Sequence, residues 1–371
     1  MVRAKGRQLG KGIIMVKRYG NLWERVCSLE NITKAYLESR KGKTTKPQVA
    51  KVDEDPMPYL EEVRRMLVNK TYRSGEYRAF TIHERGKDRV VYDIDYFPHR
   101  IVHWALMIVI KPILMDSIGD HSFAAMEGRG SHQALRKVQE YLRRDPDGTK
   151  YCFKMDVRKF FPSIKKDIML RKIERKIKDE DVLWLCREII FGFKDPGLPI
   201  GNYTSQYFAN YYLSSVIRHM KQVFHCHYLV AYMDDIVILG SSKSWLRRVK
   251  KRMVLQLEEN GLEMKRNWQI FPVDVRGVDF VGYRIFREFT LLRNGTKRTM
   301  VRKMRDIGRR MDDGHVFDEH DRGVVASYSG ILSWCDGHRL FRKYIKPILR
   351  KKEAQTWMST WHHRTGVPSA S

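Results

Sequence analysis

The sequence predicts an α+β fold, on three observations. Strand-like and helix-like stretches are mixed along the 371 residues without the regular strand–helix–strand alternation of a doubly wound sheet. Several strand-like stretches come as pairs around a short turn, the signature of antiparallel hairpins. Hydrophobic residues make up 43% of the chain, enough for a substantial core, and the length exceeds that of a typical domain, so two or three packed subdomains are expected.

Residue spacing defines the elements in order. The start, MVRAKGRQLGKG, reads as a flexible basic arm. Over 19–40, Leu22, Val26, Leu29, Ile32, Tyr36 and Leu37 recur at helical spacing. RKGKTTKPQ follows as a basic loop, and 57–70 as a second helix. YRAFTIHERGKDRVVYDI alternates around a Gly turn, which predicts a hairpin tipped with Lys87, Asp88 and Arg89. Residues 99–118 are a largely apolar helical stretch. AMEGRGSHQAL is a Gly-rich loop entering a helix that runs to about Leu142. KYCFKMDV reads as a strand and IKKDIMLRKIERKI as a basic amphipathic helix. After the loop KDPGLPIGN, a helix spans about Thr204 to Val223. VAYMDDIVILG is a hairpin, 243–259 a helix, and GVDFVGYRIF a further strand pair. From about 290 the chain turns basic and helical.

Charge narrows the function classes. Lys plus Arg number 71 against 43 for Asp plus Glu, a formal net charge of +28. Such a field attracts a phosphate backbone and releases its counterions, so a polyanion partner is expected. The five cysteines, Cys27, Cys152, Cys186, Cys226 and Cys335, are scattered with no CxxC spacing. Reduced thiols in the cytoplasm are expected, not a disulfide framework or a zinc knuckle. No apolar run approaches membrane-span length and the N-terminus has no signal-peptide core, so no membrane partner is expected.

Against this excess of cations, VAYMDDIVILG sets two adjacent acids, Asp234 and Asp235, between strand-forming residues. The turn should fall at Met233-Asp234. Two-residue hairpin turns favour Asn-Gly, Asp-Gly or a leading Gly, because they need positive φ, and Met-Asp fits poorly. Either this is an exposed polar turn, or strain is tolerated because the tip must carry acids. Asp156 weighs for the second reading, because it too ends a half-apolar strand, KYCFKMD. Three strand-end carboxylates suit hard divalent ions such as magnesium. A metal pair about 4 Å apart would activate a 3′-hydroxyl and stabilise a leaving pyrophosphate.

YMDD in an apolar hairpin, with FKMDVRKFFPSI upstream, resembles the reverse transcriptases. The resemblance runs over about 57–290 and implies a right-hand polymerase. Fingers would take roughly 57–150 and 165–205, interleaved with an antiparallel palm. A helical thumb and tail would occupy 291–371, and 1–56 would form a basic arm and helix. It implies that Asp156, Asp234 and Asp235 are catalytic and bind two magnesium ions, or manganese, with the backbone carbonyl of Val157. Phe161, five residues after Asp156, would be the steric gate against a ribose 2′-hydroxyl. Lys87 and Arg89 would grip the dNTP triphosphate, Arg bidentately. Phe280, Gly282 and Tyr283, in FVGY, resemble the primer grip, where Gly282 would allow close backbone approach. Lys265 or Arg266, in GLEMKRNW, would supply a cation near the pyrophosphate. The implied partners are template RNA, the cDNA/RNA duplex and dNTPs.

Two departures mark a subgroup. Where most of the family reads Gln-Gly, with a Ser-Pro shortly after, this chain reads LPIGNYTSQ, with Ile200 for the Gln and Gln206 for the Pro. With RYGNLWERVCSLENITKAYLESRKGK near the N-terminus, the pattern resembles the reverse transcriptases of diversity-generating retroelements. Those enzymes misincorporate at template adenines and usually work with a small basic accessory protein. A Gln can donate and accept hydrogen bonds near the nascent base pair; Ile can do neither, and the loss should weaken discrimination by something like 1–3 kcal/mol. An antiphage-defence reverse transcriptase would share this chemistry, and a non-catalytic RNA-binding scaffold on the same fold is a further alternative.

Other signals are less specific. EGRGSHQAL either brings Arg129 and backbone amides to template phosphates or is a plain loop-to-helix junction. His225, Cys226 and His227 are adjacent on a strand and would point to opposite faces, which argues against a metal site. Trp334, Tyr344, Trp357 and Trp361, among many Lys and Arg, fit either a helical core or a thumb that reads duplex shape and phosphate.

Overall fold

The computed structural model describes residues 17–84, 86–126 and 128–365, so the basic arm at 1–12 lies outside the described residues. In chain order the helices and strands are α1 (Trp23–Cys27), α2 (Leu29–Arg40), α3 (Pro47–Glu54), α4 (Pro56–Val68), β1 (Arg78–Glu84) and β2 (Lys87–Asp93). Next come α5 (Ile101–Ile118), α6 (Ser131–Arg144), β3 (Tyr151–Asp156), α7 (Phe160–Ser163), α8 (Lys166–Glu174), α9 (Glu180–Gly192) and α10 (Tyr203–Gln222). The remainder is β4 (Leu229–Tyr232), β5 (Asp235–Gly240), α11 (Lys243–Glu259), β6 (Gln269–Pro272), α12 (Val273–Arg276), β7 (Val278–Phe280), β8 (Tyr283–Ile285), β9 (Thr290–Leu292), α13 (Asn294–Asp312), α14 (Glu319–Leu332), α15 (His338–Leu340) and α16 (Lys346–Thr365). The mixture of helices with antiparallel strands is the α+β class expected.

The chain packs as two compact units, each made of separated stretches. The first holds the chain up to Gly119, Arg158–Val216 and Leu257–Glu263. Its centre is α5, where Ile101, Val102, Ala105, Leu106, Met107 and Ile110 are fully buried against α1, α2 and α9. The stretch Tyr96–Ile118 is long and apolar enough to cross a membrane by length and composition, which corrects the expectation that no such run exists. Most of it is buried inside the unit, as a helix that is apolar all round must be when it serves as a core. The buried Asn31 amide satisfies the carbonyls of Val26 and Ala105, tying α2 to α5.

The helix expected over 19–40 is two helices. Ser28 adopts extended backbone between them, and its hydroxyl caps α2 by accepting from the Asn31 N–H. Leu37, counted in the apolar stripe, is 48% exposed. The loop expected after α2 is shorter than read, because Pro47 opens α3. Helix α9 had no counterpart in the sequence reading; Asp179 caps it and also accepts from the N–H groups of Leu22 and Trp23.

The second unit holds Asp120–Val157, Ile217–Gln256 and the chain from Met264. A four-stranded antiparallel sheet runs in the order β4-β5-β3-β6, and β7-β8-β9 form a three-stranded sheet. One apolar cluster joins α6, both sheets and the basic helices, with Val237, Leu239, Phe280, Ile285 and Met300 among its buried members. Helix α13 shows why a basic stretch folds there. Met300, Met304, Ile307 and Met311 recur at helical spacing and are buried, which leaves the cations on the other face.

Candidate active site

The acids stand where strand register puts them. Asp156, the last residue of β3, pairs directly with Asp235, the first of β5. Tyr232 pairs with Asp235 across a two-residue turn made of Met233 and Asp234. Met233 has φ +55°, so a side chain occupies the position where a leading Gly is the usual solution. The strain expected at this turn is present.

Backbone bonds fix three segments around the acids. The Val157 N–H donates to the Asp234 carbonyl at 3.1 Å, and the Lys265 N–H to the Asp156 carbonyl at 2.9 Å. The Lys265 ammonium then lies 3.6 Å from Asp156 Oδ1 and 3.8 Å from Asp234 Oδ2. Of the two cations offered by the sequence, Lys265 is the one at the carboxylates, and Arg266 is exposed.

One side chain bonded to these acids escaped the sequence reading. Lys154 lies two residues before Asp156 on β3, hence on the same face of the sheet. Its ammonium donates to both Asp235 carboxylate oxygens, at 2.8 and 2.9 Å, and to the Asp279 carbonyl at 2.6 Å. Burial pushes the Asp235 carboxyl up to about 6, against the pull of Lys154 and with the help of the neighbouring Asp156 charge. The period-2 spacing from Asp156 was the signal that could have found it.

These groups form a set of oxygen donors at the ends of β3 and β5, each already associated with a lysine. That donor chemistry fits hard divalent ions. Asp156, Asp234 and Asp235 are the residues that would hold them. A different group, His315, Asp318 and Asp321, brings its ligand atoms within 4.8 Å of one another. There Asp321 is fully buried and bonded by Arg310 at 2.5 Å and His315 at 3.0 Å, so it locks α13 to the start of α14.

The strand pair resembling a primer grip is the β7–β8 hairpin. Phe280 pairs with Tyr283 across Val281 and Gly282, with φ +43° and +94°, the pattern of a type I′ turn. A Cβ on Gly282 would meet nothing within 4 Å among the described residues. The glycine answers to its positive φ. Phe280 is buried, and the Tyr283 hydroxyl bonds His132 Nε2 at 3.2 Å and the Ile331 carbonyl at 3.1 Å. Trp334 stacks on His132 at 4.2 Å and carries the Arg136 guanidinium at 4.4 Å.

In the first unit, backbone bonds tie the loop that carries Ile200 to β2 and to Phe161. The Tyr92 N–H of β2 donates to the Ile200 carbonyl at 2.8 Å, and the Leu198 N–H to the Phe161 carbonyl at 3.0 Å. Gly197, at φ +80°, lies so close to the Phe161 carbonyl and Pro162 that a Cβ there would clash. Loop 197–201 thus joins the β1–β2 hairpin to Phe161. Phe161 and Ile200 are half-buried and Gln206 is exposed on α10. Lys87 and Arg89 do not tip the hairpin as expected: both lie on β2, with Arg89 paired to Ile82. The Lys87 side chain lies outside the described residues.

Other expectations fare variously. Arg129 is held by Asp120 at 2.9 Å and the Ser122 carbonyl at 3.3 Å, so its charge already has an acid beside it. Cys226 is buried and its thiol is pushed up to about 12 by that burial, while the His225 and His227 rings stack 6.1 Å apart. All five cysteines are free thiols, as expected. Beside α13 a groove of about 570 Å³ is lined by Lys297, Arg298, Arg302, Arg305, Arg309 and Tyr344, among others. The side chains of Trp357 and Trp361 lie outside the described residues.

The family model for reverse transcriptase (RNA-dependent DNA polymerase) matches residues 83–285, more than half of the chain. An uncharacterized 91 kDa protein in the cob intron of Schizosaccharomyces pombe is 26% identical over 195 residues, which cover 45% of this chain and 22% of that relative. The chain therefore matches only about a fifth of that relative's length. Among solved structures, telomerase from Candida albicans in complex with a TWJ fragment of telomeric RNA is 12% identical, with a TM-score of 0.45, over 79% of this chain and 61% of that one. Apo telomerase from Candida tropicalis is also 12% identical, with a TM-score of 0.44, over 64% and 52%. On the family match, the chain belongs to the reverse transcriptase (RNA-dependent DNA polymerase) family.

Proposed function

We propose that this chain is an RNA-directed DNA polymerase that extends a primer with dNTPs on an RNA template. The observation that carries the reading is the placement of Asp156, Asp234 and Asp235 at adjoining strand ends, fixed by backbone bonds from Val157 and Lys265. Asp156, Asp234, Asp235 and the Val157 carbonyl would hold divalent ions, magnesium or manganese, which supply activation of the 3′-hydroxyl and stabilisation of the pyrophosphate. Phosphoryl transfer asks the protein mainly for positioning and charge. The acids hold their place through the sheet; Lys87, Arg89 and Phe161 are assigned to the nucleotide, and the β7–β8 turn to the primer end. The groove beside α13 suits duplex phosphates. Fingers, palm and thumb divide the chain as the resemblance implies.

The finer reading is a retroelement enzyme that errs at template adenines, working with a small basic accessory protein. Ile200 and Gln206 support it. Ile200 is not among the buried core residues, so packing alone does not account for it, and its carbonyl ties the loop to β2. Its apolar side chain offers a nascent base pair no hydrogen bond. Sequencing cDNA made by the wild type and by Ile200→Gln tests this. Adenine-directed errors in the wild type, reduced several-fold in the variant, are expected. Equal error spectra would remove the role given to Ile200.

A further inference from the structure

Two lysines share the three aspartates, and they hold them in different ways. Lys154 makes three hydrogen bonds, two to Asp235 and one to the Asp279 carbonyl, and the ion pair is only 19% and 23% exposed on its two sides. Withdrawing it would strand a largely buried carboxylate, which is costly. Lys265 instead stands 3.6 and 3.8 Å from Asp156 and Asp234, beyond hydrogen-bond distance, and its side chain is 39% exposed. Its backbone is anchored by the N–H bond to the Asp156 carbonyl, so the four-carbon stem can swing without disturbing the strand.

We propose that Lys265 is an exchangeable cation that competes with divalent ions for Asp156 and Asp234, while Lys154 is the fixed counter-ion of Asp235. Carboxylates gathered at one site repel one another unless a cation lies near. Lys265 meets that need and keeps Asp156 and Asp234 in place. An exposed ion pair without a hydrogen bond is worth little, so a divalent ion with twice the charge displaces it readily. Lys265 therefore sets the metal concentration at which the site loads. This rests on the metal-binding reading of the acids given above.

Binding of Mn²⁺ alone to the full chain, followed by electron paramagnetic resonance of the free ion, tests it without turnover. Lys265→Met and Lys265→Gln should each tighten Mn²⁺ binding roughly two- to fivefold, as loss of a competing surface ion pair implies. Lys265→Arg should stay close to wild type. Lys243→Met removes one charge beside Tyr151, at the far end of β3, and should also change little. Unchanged or weaker binding in both neutral Lys265 variants would overturn the proposal, as would equal tightening in Lys243→Met. Asp156→Asn separates the two levels. If it leaves Mn²⁺ binding intact, the assignment of the acids fails. If it abolishes binding while the Lys265 variants do nothing, only the competition fails.

Discussion

A carboxylate buried beside another holds its proton more tightly unless a cation lowers the cost. Asp235 is such a case, pushed up to about 6 by burial even with Lys154 bonded to both its oxygens. The sign of its effect on stability follows. Between the ordinary value of 3.8 and about 6, the folded chain binds more protons at this site than the unfolded chain. Folding stability contributed by Asp235 therefore falls as pH rises through that window and is flat above it. Asp235→Asn should remove that contribution, so the urea midpoint at pH 6.5 minus that at pH 4.5 should be more positive in the variant than in the wild type. Parallel pH dependence in the two proteins would show that Asp235 titrates normally. The Asp235–Lys154 pair also marks what the sequence left hidden. Three acids stood out against a basic chain, but Lys154 was one of 71 Lys and Arg residues, and only the register of β3 gives it a role.

At the level of elements, two tight turns carry side chains where the backbone favours glycine or asparagine. Met233 sits at φ +55° between Tyr232 and Asp234, and Val281 at φ +43° before Gly282. A β-branched residue in the left-handed region is costly, about 1–2 kcal/mol. Val281→Asn creates the Asn-Gly pair that type I′ turns prefer, so it should raise stability by roughly 0.5–1 kcal/mol after some packing is lost. A lower denaturant midpoint would mean that Val281's packing against the apolar cluster outweighs the strain. Both hairpins were readable because alternation and a short turn are local signals. The break at Ser28 and helix α9 were not read. Ser28 interrupts a continuous apolar spacing, and α9 depends on Asp179, whose carboxylate also receives Leu22 and Trp23 from far along the chain. The β1–β2 tip was misplaced toward Lys87, since strand register fixes it and composition does not.

For the whole molecule, 71 Lys and Arg against 43 Asp and Glu give a formal charge of +28. Charge of that size speaks for a phosphate-rich partner and says nothing about fold. The family and the acid site were readable because order and spacing of short motifs survive in the sequence. The division into two compact units was not, because each gathers stretches that are distant along the chain. In this account the cations bind nucleic acid and the acids perform chemistry, so the two functions should separate by mutation. Primer extension on an RNA template with Mg²⁺, run beside an RNA-binding titration, tests this most directly. Wild type should make cDNA, while Asp234→Ala and Asp235→Ala should make none and bind RNA within a few-fold of wild type. Persistent cDNA synthesis in either variant would contradict the assignment of the site, and no synthesis by the wild type with chelator-sensitive controls in place would contradict the activity itself.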